Sequence, residues 1–352
     1  MRKFYFILFL TAFIFVMPVQ VYASRPREVQ YSHALSRAIS RNPDIIPLER
    51  AVRDDEALAR ELLADYLATV NADRDAAAVI YGQRMMILAD RDRTQREIDR
   101  HRVTTESDLR THLRNIASLE ANLEILETSL ALQSERLGQM ELRHSHGMAS
   151  DMELSAMGLA VEQLALNLDM LNLNLVNERQ QLNLLIHQPI TANIQVVYEI
   201  GGFEAVPVEL TDRQLQRMFD RDHSLLHWQD QADISRHEWQ RQLGSPEISQ
   251  LRLQHQLNVM ERDLAERMAE LNVRNNLAYW DRTLEHGLAL EADLAQAQAD
   301  YENMLNRLAA GLVVQLDVDM TALAVSEAEA QIARHGYDLW IVNLRAVHPY
   351  LR

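Results

Sequence analysis

His144-Ser145-His146 is the stretch of this sequence that comes nearest to a metal-binding pair. Two imidazoles can share a transition metal only if their rings meet on one side of the backbone. On a helix, residues two apart point about 200° away from each other, so these rings diverge into solvent. Carboxylates follow at Asp151 and Glu153, and a second set stands near the end of the chain at Asp317 and Asp319. An acid in the first turn of a helix faces the positive end of the helix dipole and favours the helix start. The sequence contains no P-loop, no H-E-x-x-H and no nucleophile elbow. Its residues therefore give no support to an enzymatic function and imply no cofactor.

Two glycines position both sets of acids. Gly147 stands in RHSHGMASDMEL (143–154) and Gly311 in NRLAAGLVVQLDV (306–318), each between two long leucine-periodic runs. At an offset of 164, Gly147 falls on Gly311, Met152 on Leu316, Leu154 on Val318, and Leu113, Leu126, Leu130 and Met140 on Leu277, Leu290, Leu294 and Met304. Further upstream an offset of 180 lays Leu35, Arg37, Ile39 and Arg41 over Leu215, Arg217, Phe219 and Arg221. The shared order of features indicates duplication. The two offsets differ by 16, so the first repeat carries 16 extra residues ahead of its glycine.

Gly244-Ser245-Pro246 breaks the second repeat, and the same offset places the matching break at Tyr81-Gly82. Each repeat is then expected to run a helix into its glycine, over 83–146 and 247–310. A helix of that length spans on the order of 95 Å. After the first glycine, Leu154, Met157, Val161, Leu164, Leu168, Leu171, Leu175, Leu182 and Leu185 form one seam; Val318, Thr321, Val325, Ala328, Ile332, His335, Leu339 and Val342 form the second. Alternating steps of three and four suit coiled-coil packing. Glycine accepts positive φ at little cost and can close the incoming helix, so each glycine is expected at the tip of an antiparallel hairpin. Met85-Met86, Trp228, Trp239, Trp280 and Trp340 are read as seam or core residues.

Composition agrees with long helices: 47% of the residues are hydrophobic, with only 10 Gly and 8 Pro in 352. A net charge of -16 leaves no basic stripe for nucleic acid. MRK, an apolar run and Val21-Tyr22-Ala23 are expected to compose a signal peptide over 1–23, with the mature chain starting at Ser24; the alternative is an uncleaved membrane anchor. The lack of cysteine fits export. The expected organisation is a first helical repeat over 24–190, a linker over 191–210 and a second repeat over 211–352. SRNPDIIP (40–47) divides two early helices, Asn193 to Ile200 reads as a short strand or extended linker, and Thr211-Asp212 caps the helix that follows.

Together these features resemble the TolC-like outer membrane efflux family. The resemblance is carried by LSRAISRNPDIIPLERAVRDDEALA (35–59), ELRHSHGMASDMELSAMGLAVEQLALN (141–167) and ADYENMLNRLAAGLVVQLDVDMTALAVSEAEA (299–330), and it covers essentially the whole mature chain. It implies a homotrimer whose helices form a tunnel through the cell envelope. The tunnel tip would meet a periplasmic adaptor (membrane fusion) protein joined to an inner-membrane pump. It also implies that the acid six positions after each glycine, Glu153 and Asp317, lines the tunnel entrance, with Asp151 and Asp319 beside it. A second family acid, nine positions on, is replaced by Ala156 and Met320.

The family inserts two membrane strands per repeat between its second and third helices. NADRDAAAVIYGQ and QLGSPEI, which stand there, are too short and too polar for spanning strands of about 9–11 residues. The fold class expected is all-α: two tandem repeats of long coiled-coil hairpins, TolC-like, with little or no β-barrel. Its function is expected to be an efflux tunnel in the outer membrane, or alternatively a periplasmic scaffold that has lost the barrel.

Overall fold

The structure, a computed structural model, describes residues 26–200, 211–219, 222–241 and 248–348. The signal segment, Gly201-Gly202, Pro207 and Gly244-Ser245-Pro246 lie outside the described residues. In chain order the elements are β1 (Arg27–Gln30), α1 (Tyr31–Ser40), α2 (Ile45–Thr69), α3 (Arg74–Ser145), α4 (Asp151–Leu185), β2 (Ile194–Val197), α5 (Asp212–Phe219), α6 (His223–Arg241), α7 (Ile248–Ala309) and α8 (Gln315–Val347). The described residues are all-α apart from one parallel pair of short strands, β1 on β2, with Arg27 opposite Ile194 and Gln30 opposite Val197.

Local chemistry sets the boundaries. Asn42 Oδ1 accepts the Asp44 N–H at 2.8 Å, a turn that Pro43 separates from α1, and Asn42 Nδ2 donates to Thr105 Oγ1 at 3.0 Å, pinning the turn to α3. Asp73 caps α3 by accepting the Asp75 and Ala76 N–H groups, each at 3.0 Å. This corrects the expected break at Tyr81-Gly82, because α3 runs uninterrupted through both residues. One helical glycine costs only about 1 kcal/mol against alanine, which capping and packing along α2 outweigh. The resulting helix of 72 residues is about 108 Å long. In the second repeat α7 covers 62 residues and begins and ends within one residue of 247–310.

The expected seams are where the hairpins close. Every named seam position on α4 and α8 is buried or half-buried. α3 packs on α4, α7 on α8, and α3 on α8, so towards the tips the helices lie in the order α4, α3, α8, α7. Away from the tips α2 flanks α3 and α6 flanks α7, and the Arg96–Asp230 ion pair ties α6 to α3. Among the described residues no helix is long and apolar enough to cross a membrane.

The two repeats meet around the strand pair. Ala34 and Ala38 of α1, Leu109 and Leu113 of α3, Leu182 and Ile186 at the end of α4, Val196 of β2 and Trp340 of α8 form one buried cluster. Arg110 locks it from the side. Its guanidinium lies 4.5 Å from the centre of the Trp340 ring, donates to the Trp340 carbonyl at 2.7 Å and pairs with Glu106 at 2.5 Å. Tyr31 donates to Glu106 at 3.1 Å, and burial together with that carboxylate pushes its phenol up to about 12. Trp228 packs on a smaller cluster of Phe219, Leu225, Ala265 and Ala269. Met85 and Met86 are exposed, a correction to their reading as seam or core, because α2 packs on another face of α3 there. The side chain of Trp239 lies outside the described residues.

Candidate functional site: the paired hairpin tips and the open edges

Gly147 has φ of 71° and Gly311 φ of 73°, in the left-handed region that favours glycine. Gly147 N donates to the His144 carbonyl at 2.8 Å and Met148 N to the Arg143 carbonyl at 2.9 Å. In the second repeat Gly311 N donates to the Leu308 carbonyl at 2.8 Å and Leu312 N to the Arg307 carbonyl at 2.9 Å. Both are Schellman closures, and each donor and acceptor in one has its counterpart 164 positions on in the other.

The helices leaving the tips start with acids that act on the backbone. Ser150 and Glu153 form a reciprocal capping box: Glu153 N donates to Ser150 Oγ at 3.2 Å, and the Glu153 carboxylate accepts Ser150 N at 2.8 Å and Ser150 Oγ at 2.9 Å. These two donors hold the Glu153 carboxyl below its ordinary value. Asp317 accepts the Val314 N–H at 3.4 Å, but Val314 has no side-chain oxygen to return the bond, so only half of the box exists in the second repeat. Asp151 accepts from or pairs with His144 Nε2 at 2.6 Å, and Asp319 accepts from Gln315 Nε2 at 2.8 Å. His144 thus turns to a carboxylate across the tip rather than to His146. All four acids sit at the two tips, outside any enclosed cavity, with Met148 at 62% exposure and Leu312 at 70% beside them. The arrangement offers negative charge and apolar contact at one end of the molecule. Its one imidazole–carboxylate pair, His144 with Asp151, lies on the open surface of the tip.

Sequence periodicity missed a second feature. On α4, Met152, Leu159, Leu166 and Leu173 recur every seven residues on the face opposite the seam, and Leu166 and Leu173 are each 64% exposed. On α7, Leu253, Leu257, Met260, Leu264, Met268 and Leu271 make a similar exposed stripe. α2, which replaces α4 as the flank of α3 away from the tips, exposes Leu58, Leu63 and Leu67. The layer of helices therefore has two apolar open edges: α7 on one side, and α4 followed by α2 on the other. The steps of seven on α4, and of three and four on α7, could have revealed them, since a helix with one partner needs only one seam.

No protein-family profile matches the sequence, and no curated protein matches it. Solved structures do match the fold. The outer membrane protein VceC from Vibrio cholerae superposes with a TM-score of 0.64 at 12% identity, covering 90% of this chain and 95% of that one. The CmeC outer membrane channel of Campylobacter jejuni gives 0.64 at 13% identity over 91% of this chain and 85% of its own. A membrane protein from Pseudomonas aeruginosa gives 0.66 at 11% identity over 90% and 93%. The chain has the fold of the TolC-like outer membrane channels.

Proposed function

We propose that this protein is a tunnel-forming component of the cell envelope, in which three copies close into a ring of helical hairpins that conducts solutes outward. The observation that carries this reading is the pair of apolar open edges. An α7 edge that meets the α4 and α2 edge of the next copy makes a head-to-tail contact, and such contacts close into a ring when the rotation allows. The number three, a periplasmic adaptor at the tips and an inner-membrane pump behind it come from the resemblance to the TolC-like family. In the ring Glu153, Asp151, Asp317 and Asp319 would crowd around the tip opening, where rings of carboxylates favour cations over anions. Export rests on the signal segment over 1–23, with the mature chain beginning at Ser24. The function is passage, not catalysis.

A specific observation favours a second reading. Between α2 and α3 only Val70 to Asp73 intervene, four residues, whereas a membrane-spanning strand takes about 9–11. A scaffold or duct that stays in the periplasm would need no such strands. Envelope fractionation separates the two. A conduit seated in the outer membrane stays with that membrane through a high-salt wash, and a periplasmic scaffold is released as a soluble oligomer. Sedimentation of the protein from Ser24 onward tests what both share: a compact monomer at micromolar concentration would defeat the ring itself.

A further inference from the structure

Midway along the α7–α8 hairpin the two helices approach over a residue that no tunnel function requires. His335 of α8 is 7% exposed, and its Nε2 has no hydrogen-bond partner among the described residues. The ring reaches the backbone of α7 at Gly287. A Cβ at that position would stand 2.6 Å from His335 Nε2, so any larger residue there makes the end of the imidazole shift. The remaining surroundings are charged or titratable. From α7, His286 meets the ring edge-on with 5.6 Å between centroids, and Glu291 acts at longer range. On α8 itself Asp338 stands one turn on, and its carboxylate is held by Arg114 of α3 at 2.6 Å. The imidazole thus sits beside the ion pair that ties the second hairpin to the first.

We propose that His335 seated against Gly287 is a pH-sensitive latch: the neutral ring fills the gap between α7 and α8, and the protonated ring leaves it, loosening α8 beside its Arg114–Asp338 tie to α3. A neutral imidazole tolerates a buried gap with one nitrogen unpaired far better than an imidazolium, whose charge loses its hydration there. Burial, and then the neighbouring His286, lower the proton affinity of the ring, in agreement with that geometry; Asp338 and Glu291 act in the opposite sense but do not prevail. The sign follows. A group that binds its proton less readily when seated favours the open form as pH falls below its ordinary value of 6.5. The latch is closed at neutral pH and opens in acid. It lies within one chain, so its test does not depend on ring assembly.

Hydrogen–deuterium exchange of the full mature chain at pH 7.5 and 5.5, corrected for the intrinsic pH dependence of exchange, reads the opening directly. If the freed ring titrates at about 6.5, acidification favours opening by up to about tenfold. Peptides covering 284–291 and 332–342 should exchange faster by up to that factor, while peptides of α4 keep their ratio. His335→Gln, which cannot be protonated, should bring the ratio in those peptides back to one, and His286→Gln should leave it raised. Gly287→Leu guards against a His335 variant that does not fold: its side chain occupies the gap at both pH values, so these peptides should be labile at neutral pH and insensitive to acid. Unchanged exchange of the wild-type peptides on acidification overturns the proposal. So does an acid response that survives either His335→Gln or Gly287→Leu.

Discussion

Removing apolar side chains from the open edge of α4 should dissolve the proposed three-copy ring and spare the chain. Leu166 and Leu173 lie seven residues apart on that edge, each 64% exposed in the single chain. Full burial of a leucine side chain contributes about 1.5–3 kcal/mol, so covering the exposed two-thirds contributes about 1–2 kcal/mol per residue. The double variant Leu166→Ala/Leu173→Ala then loses about 2–4 kcal/mol at each contact, and about 6–12 kcal/mol over the three contacts of a closed ring. Because the dissociation of a trimer depends on concentration squared, half of that total sets the shift in midpoint. Half-dissociation moves at least about 100-fold higher in concentration. The isolated chain should barely notice, since exposed positions away from special contacts usually change stability by about 0.5 kcal/mol or less.

Sedimentation velocity over a dilution series measures the first effect, and urea unfolding at concentrations where both proteins are monomeric measures the second. Leu182→Ala is the control with the opposite pattern. Leu182 is 3% exposed in the central cluster, and its truncation should cost the chain about 2–5 kcal/mol. Two results refute the reasoning. If the double variant sediments as wild type through the whole series, the α4 edge is not an interface. If it unfolds the chain as severely as Leu182→Ala, the stripe belongs to a core and not to an edge.

Three further outcomes are expected at the tips. Gly147→Ala and Gly311→Ala should each lower stability by about 1–2 kcal/mol in urea unfolding, entirely through backbone strain, because the space around both glycines is open. Val314→Ser should raise stability by about 1 kcal/mol by completing the half-formed cap opposite Asp317, and Ser150→Ala should lower it by a similar amount. The Glu153 carboxyl, held low by its two bonds from Ser150, favours the folded tip above its ordinary value of 4.5, and that contribution is lost as pH falls through the folded value below it. Amide exchange at the start of α4 should therefore quicken below about pH 4 in the wild type and show no such step in Glu153→Gln.

The tips were legible because their determinants are local. A glycine after a leucine run and an acid six residues on are written within one short segment, and the closures of both repeats need nothing from elsewhere. The start of α3 was misread for the opposite reason. Tyr81-Gly82 carries the breaker, but Asp73 carries the cap, and α2 packed alongside lets the helix run through the glycine. β1 gave no signal, since Arg27–Gln30 has one apolar residue and becomes a strand only by pairing with Ile194–Val197. On α4 leucine occupies both faces, so heptad spacing alone does not tell the seam from the open edge. The fit of His335 to Gly287 depends on a register between two helices 48 residues apart in sequence, which no spacing rule supplies.

The unequal length of the repeats decides how this molecule can meet a membrane. Subtracting the offset of 164 from the start of α7 at Ile248 gives residue 84, ten residues inside α3. Those ten residues extend α3 by about 15 Å of helix. α2 is also longer than α6, at 25 residues against 19. The extra sequence of the first repeat is thus spent on a longer α2–α3 hairpin closed by the four residues from Val70 to Asp73. The second repeat has six residues, 242–247, at the equivalent place, again below the length of a spanning strand. The connection from Val70 to Asp73 is too short to supply a spanning strand. Retention by the outer membrane in fractionation would then have to come from helix surfaces, and Leu67, Val79 and Tyr81 at 61%, 48% and 47% exposure are the apolar side chains nearest that end of α2 and α3. Such contact is peripheral, so replacing these three residues by serine should release the protein, whereas a protein held by a barrel would stay.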